Sequence, residues 1–149
     1  MRHPVVTAIL IVAVGIAAVM FGPRLFKTPL TRAEERWFES PRTEYTMTIE
    51  ARCFCGVPPR FTVIVRGGEP ARAVTEGRRI PMREARDYGI PLTVTDLFMM
   101  VHELSARYGN VQATFDPRWG YPVSIESNGE ADTIDDEISL NVTAFREVR

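Results

Sequence analysis

Val5 to Gly22 is an 18-residue run without a single charge, and no other stretch of the chain restricts its surroundings as strongly. As a helix rising 1.5 Å per residue it would be about 27 Å long, close to the roughly 30 Å hydrocarbon core of a bilayer. A water-exposed helix has one apolar stripe, whereas this run is apolar all round and flanked by Arg2 and Arg24. The expectation is a transmembrane signal-anchor over residues 5–22 behind a short tail, residues 1–4. The competing reading is a cleaved signal peptide, with Val5–Val14 as its apolar region and Gly15-Ile16-Ala17 as a small-x-small cleavage site. The apolar residues continue through Ala18-Val19-Met20-Phe21, which favours the anchor. No cysteine follows the run, so lipid attachment of the bacterial lipoprotein kind has no acceptor there.

Charge decides less about orientation. One basic residue precedes the run, and Arg24, Lys27 and Arg32 follow it, a count that by itself would keep the rest of the chain in the cytoplasm. A four-residue tail with a free amine and one arginine is equally the form of an ordinary signal-anchor. From Thr28 onward 15 basic residues stand against 19 acidic ones. No linear stretch has the basic clustering that phosphate neutralisation demands, so nucleic acid is not an expected partner.

Gly22-Pro23 and Thr28-Pro29 punctuate a linker over residues 23–30, and residues 31–149 then read as one small α+β domain. Thr31 and Glu34 stand at capping-box spacing ahead of a short helix containing Trp37. Tyr45, Met47, Ile49 and Ala51 alternate with polar residues, as do Phe61, Val63 and Val65 after them. Arg66-Gly67-Gly68-Glu69 is a hairpin signal leading into Ala71–Thr75. Gly77–Ile90 reads as a polar, proline-bearing excursion. Thr93 then caps the main helix, with Asp96 three residues on and an apolar stripe of Val94, Leu97, Phe98, Val101, Leu104 and Tyr108. Gly109-Asn110 ends it. Strands follow at Val111–Phe115, at Val123 with Ile125, and at Ile138, Leu140, Val142 and Ala144. The expected order is α-β-β-β-α-β-β-β, an antiparallel sheet with one main helix on one face.

Several of these residues, in this order, carry a resemblance. Trp37, Tyr45, Cys53-Phe54-Cys55, Val63–Gly68, Thr93–Phe98, Phe115–Pro122 and Asp135-Asp136-Glu137 resemble the bacterial domain-of-unknown-function family 6174 from about Arg32 to the C-terminus. The resemblance implies an exported or membrane-tethered domain, and so an extracytoplasmic orientation, and it brings no catalytic residue. A lipid-modified cysteine is often expected where this chain has its apolar run.

Cys53 and Cys55 are the two cysteines of the chain. If the first strand continues past Ala51, both lie on its apolar face, about 6.6 Å apart and at the upper limit for a disulfide. A three-residue loop is worth only about 1.6 kcal/mol in chain entropy, so a Cys53–Cys55 disulfide would set a local bend. Buried free thiols, a redox pair and a two-coordinate Cu(I) site are the alternatives. Zinc lacks ligands, since His102 is the one histidine beyond the anchor. Asp116, Asp132, Asp135, Asp136 and Glu137 do not have the spacing of a calcium loop. His102 and Ser105 are one helical turn apart, with no nucleophile elbow near them. Asn141-Val142-Thr143 is a formal glycosylation sequon inside a strand. No catalytic, cofactor or metal residue emerges. Arg118, Trp119 and Tyr121 form the candidate binding surface if the Asp116–Gly120 turn presents Trp119 outward. The other outcome is that Trp119 folds back over the sheet edge and shields the core. The functional expectation is a non-enzymatic envelope module that binds a protein or peptide, and the alternative is a redox or metal-handling protein built on Cys53 and Cys55.

Overall fold

A computed structural model describes residues 27–53, 57–128 and 137–148. The expected anchor at 5–22 and its cleavage site lie outside these residues, and among the described helices none is long and apolar enough to cross a membrane. Helix α1 spans Pro29–Glu39. Strands β1 (Tyr45–Arg52), β2 (Arg60–Arg66), β3 (Glu69–Thr75) and β4 (Arg78–Ile80) follow, then helices α2 (Met82–Asp87) and α3 (Val94–Tyr108). Strands β5 (Val111–Phe115), β6 (Pro122–Ser127) and β7 (Ile138–Glu147) complete the domain. All seven strands form one antiparallel sheet in the order β4-β3-β2-β1-β7-β6-β5. The chain therefore closes beside its own first strand, and β1 and β7 form the centre.

The α+β class and the main helix match the expectation, with three differences. Helix α1 starts earlier than the capping-box spacing suggests: Thr28 is the N-cap, its hydroxyl accepts the Thr31 amide, and Pro29 occupies the first turn. Proline lacks the amide that would go unsatisfied there, so Thr-Pro is the better start. The linker thus gives way to helix at Pro29 rather than after residue 30. The second difference is Gly77–Ile90, which contains β4 and α2, because Ile80 and Ala85 are apolar enough to be buried within an otherwise charged segment. The third lies in β7. The register with β1 shifts between Thr48 and Ile49, pairing Ile49 with Val142 but Thr48 with Ala144. That bulge takes up one extra residue and reverses the alternation. Ala144 is exposed, and Phe145 packs against the core opposite Met47.

Helix α3 buries Val94, Leu97, Phe98, Val101 and Leu104 of the stripe read from its spacing, and Tyr108 at the end of that stripe is half-buried. Side chains of that size contribute about 1.5–3 kcal/mol each when fully buried. Thr93 and Asp96 make a reciprocal capping box, and the Asp96 carboxylate also accepts the Leu92 amide. Gly109 stops the helix in the left-handed conformation.

One buried hydroxyl joins three elements. The Val94 amide, an orphan donor of the first turn of α3, donates to the Tyr45 hydroxyl at 3.0 Å. The Tyr45 ring lies edge-on to Trp37 of α1, centroids 5.9 Å apart, and stacks on Phe145 of β7 at 5.0 Å. Burial pushes the Tyr45 phenol up to about 12. The nearby Asp96 carboxylate adds to that rise and the Val94 hydrogen bond opposes it.

The turn between β5 and β6 ties α1 down. Asp116 accepts the amides of Arg118 and Trp119 at 2.9 and 2.6 Å, and the Gly120 amide donates to the Asp116 carbonyl. Gly120 has φ of +85° and lies so close to α1 that a Cβ would stand 2.3 Å from the Ala33 carbonyl oxygen.

Two predictions follow from these contacts. Tyr45→Phe leaves the buried Val94 amide without its acceptor and should cost about 1–3 kcal/mol in urea unfolding at pH 7. Below pH 10 the phenol is neutral in both states, so its full contribution is present. Between pH 10 and about 12 only the unfolded chain releases the proton, so stability falls as pH rises, by at most about 2–3 kcal/mol from this group. The phenylalanine variant should lack that increment. Separately, Gly120→Ala should cost about 2–4 kcal/mol, combining left-handed strain with displacement of α1. Gly109→Ala, also at positive φ but with nothing within 4 Å of the added Cβ, should cost only about 1–2 kcal/mol.

Candidate functional site

The three residues expected to form a binding surface are brought together but not presented alike. Tyr121 is buried, its ring stacked on Phe145 with centroids 4.4 Å apart. Burial raises its phenol pKa, and Asp116 adds to the effect. Trp119 is half-buried and lies over Phe145 at 5.4 Å, with the guanidinium groups of Arg42 and Arg118 at 5.3 and 4.9 Å from its ring. Of the three, Arg118 alone is exposed. The cause is local: Asp116 pins the Trp119 amide, and Gly120 then reverses the chain toward α1. The indole is thereby turned back over the sheet edge. The cluster acts chiefly as a corner of the core.

Cys53 follows the end of β1 and is not a free thiol. Cys55 lies outside the described residues, so the Cys53–Cys55 pairing stays an expectation. Cys53 borders a cavity of about 450 Å³ with Arg52, Glu126, Ser127 and Glu137. Asp116 and Glu137 lie beyond opposite ends of β6, which separates them by about 17 Å at the strand's rise. Asp116 is therefore not part of an acidic cluster with Glu137. Asp132, Asp135 and Asp136 lie outside the described residues. Among the described residues no group of three or more His, Cys, Asp or Glu side chains is placed to hold a metal ion.

His102 and Ser105 do not form a pair. The His102 ring is bonded through Nε2 to Glu34 of α1 at 2.6 Å, and the Ser105 hydroxyl donates to the Val101 carbonyl. The first contact clasps two helices and the second returns to the backbone of its own helix.

A groove of about 580 Å³ was not anticipated from the sequence. Its walls are the β2–β3 turn at Gly68-Glu69-Pro70, the segment Ile90–Thr93, and the side of α3 bearing Met99, Met100 and Glu103. Arg86 of α2 stands at its rim. Ile90 and Leu92 are buried at its base, whereas Met99 is 51% exposed. The Asp96 carboxylate in the wall is spent on the helix cap, leaving Glu69, Arg86 and Glu103 as charged groups outside the described ion pairs. Met99, which falls off the apolar stripe of α3, was the one trace of this groove in the sequence. An apolar residue off the stripe is too common to single out.

No curated protein and no solved structure matches the chain. The family model described as a family of unknown function, DUF6174, matches residues 29–147, from the first residue of α1 to the last of β7. The chain belongs to the DUF6174 family of unknown function.

Proposed function

We propose that this protein is a membrane-anchored domain on the extracytoplasmic side of a bacterial cell that acts by binding an envelope protein or peptide. The observation that carries the binding half of this reading is the groove between the β2–β3 turn and α3. It has the size of a recognition cleft, an adaptable thioether at Met99, and carboxylates and a guanidinium at the rim to orient a partner. Its rim is made of a hairpin turn and a helix side held by the capping box, so the cleft is largely preformed. The tethering half rests on the uncharged run from Val5 to Gly22 and the short distance from there to Pro29. A tether of that kind confines the domain near the membrane and favours partners confined there too.

The alternative, an envelope redox or metal-handling protein, rests on Cys53 beside Arg52 at the edge of its own cavity. Such chemistry would start with reduction of Cys53 to the thiolate that it needs. Thiol labelling with and without reductant separates the two readings. A Cys53–Cys55 pair that cycles under mild reductant, with activity lost in the double alanine variant, would favour the redox role.

A photo-crosslinking side chain at Met99 of the full chain in membranes should capture a discrete partner. The same probe at exposed Thr114, on β5, should not. A reporter fused after Arg149 should be active only if it works outside the cytoplasm. Equal capture at both positions would remove the groove from the account, and activity of a strictly cytoplasmic reporter would reverse the orientation.

A further inference from the structure

The helices pack on one face of the sheet, and no described element covers the other. The register identifies what lies on that open face. Along one row it places Arg72, Ile64, Thr46 and Arg146 side by side on β3, β2, β1 and β7. The next row holds Arg79, Val74, Thr62, Thr48 and Ala144. Arg60 and Arg52 continue the same face toward the far end of β1, where Arg60 opposes Glu50 and Arg52 opposes Ser139. Within the strands the face thus carries six arginines, Arg66 of β2 included, against three carboxylates, Glu50, Glu69 and Glu126. The rest of the chain from Thr28 onward has 9 basic and 16 acidic residues. Charge is segregated in space although it is dispersed in sequence.

Within this face Arg72, Arg79 and Arg146 are exposed and stand outside the described ion pairs. Arg72 and Arg146 are three strands apart, about 14 Å at the sheet's spacing. The floor between them is half-buried threonine and β-branched aliphatic, with the Thr48 and Thr62 hydroxyls bonded to each other at 2.9 Å. The groove beside α3 opens elsewhere, and the cavity beside Cys53 opens at the far end of the face, at Arg52, Glu126 and Ser139.

From this arrangement we infer that the open sheet face binds a linear polymer that carries a phosphate at every repeat and no base, since neither row holds an aromatic ring on which a base could stack. Each internal phosphate of such a polymer keeps its charge at any physiological pH and presents two non-bridging oxygens in the geometry that a guanidinium fork accepts. Arginines separated along the sheet suit a ligand whose charge recurs along its length. The inference shares with the proposed function only the premise that the domain is a binding module. It uses a different face, so either can fail without the other.

Binding of long-chain inorganic polyphosphate to the full chain in detergent micelles, followed by fluorescence anisotropy, tests it. The dissociation constant should rise with salt with a log–log slope of about 2–3, as expected for three phosphate contacts. The triple variant R72Q/R79Q/R146Q should bind at least about ten-fold more weakly. R32Q/R83Q/R107Q, which removes the same charge from the helices, should stay within about two-fold. If the first triple variant fails to fold, the three single variants should each lose about two- to three-fold. Absence of polyphosphate binding, equal losses in both triple variants, or unchanged binding in all three single variants would overturn the inference. Equal or tighter binding of polyglutamate, or tighter binding of single-stranded nucleic acid at matched length, would assign the face to a different polyanion and overturn it as well.

Discussion

Phe145 touches four other aromatic rings, those of Trp37, Tyr45, Trp119 and Tyr121. Those five side chains come from α1, β1, β7 and the β5–β6 turn, so one cluster joins elements at both ends of the chain. Edge-to-face and stacked aromatic pairs add about 0.5–1.5 kcal/mol each beyond the area they bury. The cluster also positions the Tyr45 hydroxyl under the first turn of α3, where it satisfies the Val94 amide. Without it, α1 would have no aromatic anchor on the sheet, and the main helix would lose a buried partner at its start.

Several of the residues that carry the resemblance noted in the sequence make these same contacts. Trp37, Tyr45, Thr93, Val94, Asp96, Asp116, Trp119, Gly120 and Tyr121 each meet a specific structural demand: a ring to stack, a cap to close, or a positive φ against the Ala33 carbonyl. A motif of this kind identifies a fold without identifying a chemistry. The groove beside Met99 shares Thr93 and Asp96 with that set, both of them engaged in the helix cap, and the open arginine face is built from other residues.

How much was legible in the sequence follows from how local each constraint is. The α3 stripe, its capping box and its terminating glycine are set within one helix, and the spacing alone reveals them. Phe145 was not legible, because its inward position depends on a bulge that appears only when β7 pairs with β1. The same holds for β4 and α2, whose few buried residues are diluted by charge. Trp119 left two orientations open, since the turn chemistry of Asp116 and Gly120 is readable while the seat under α1 is tertiary. Arg72, Arg79 and Arg146 look unrelated along the chain and share a face only through the strand order.

The account stands on the aromatic cluster as the joint between α1 and the sheet, and a double-mutant cycle addresses it directly. Trp37→Leu, Phe145→Leu and the double variant would be compared in urea unfolding. The account predicts a coupling of about 0.5–1.5 kcal/mol between the two positions, because removing either ring already abolishes their edge contact. Strict additivity, with two losses that simply sum, would contradict it and leave the two rings as independent pieces of core.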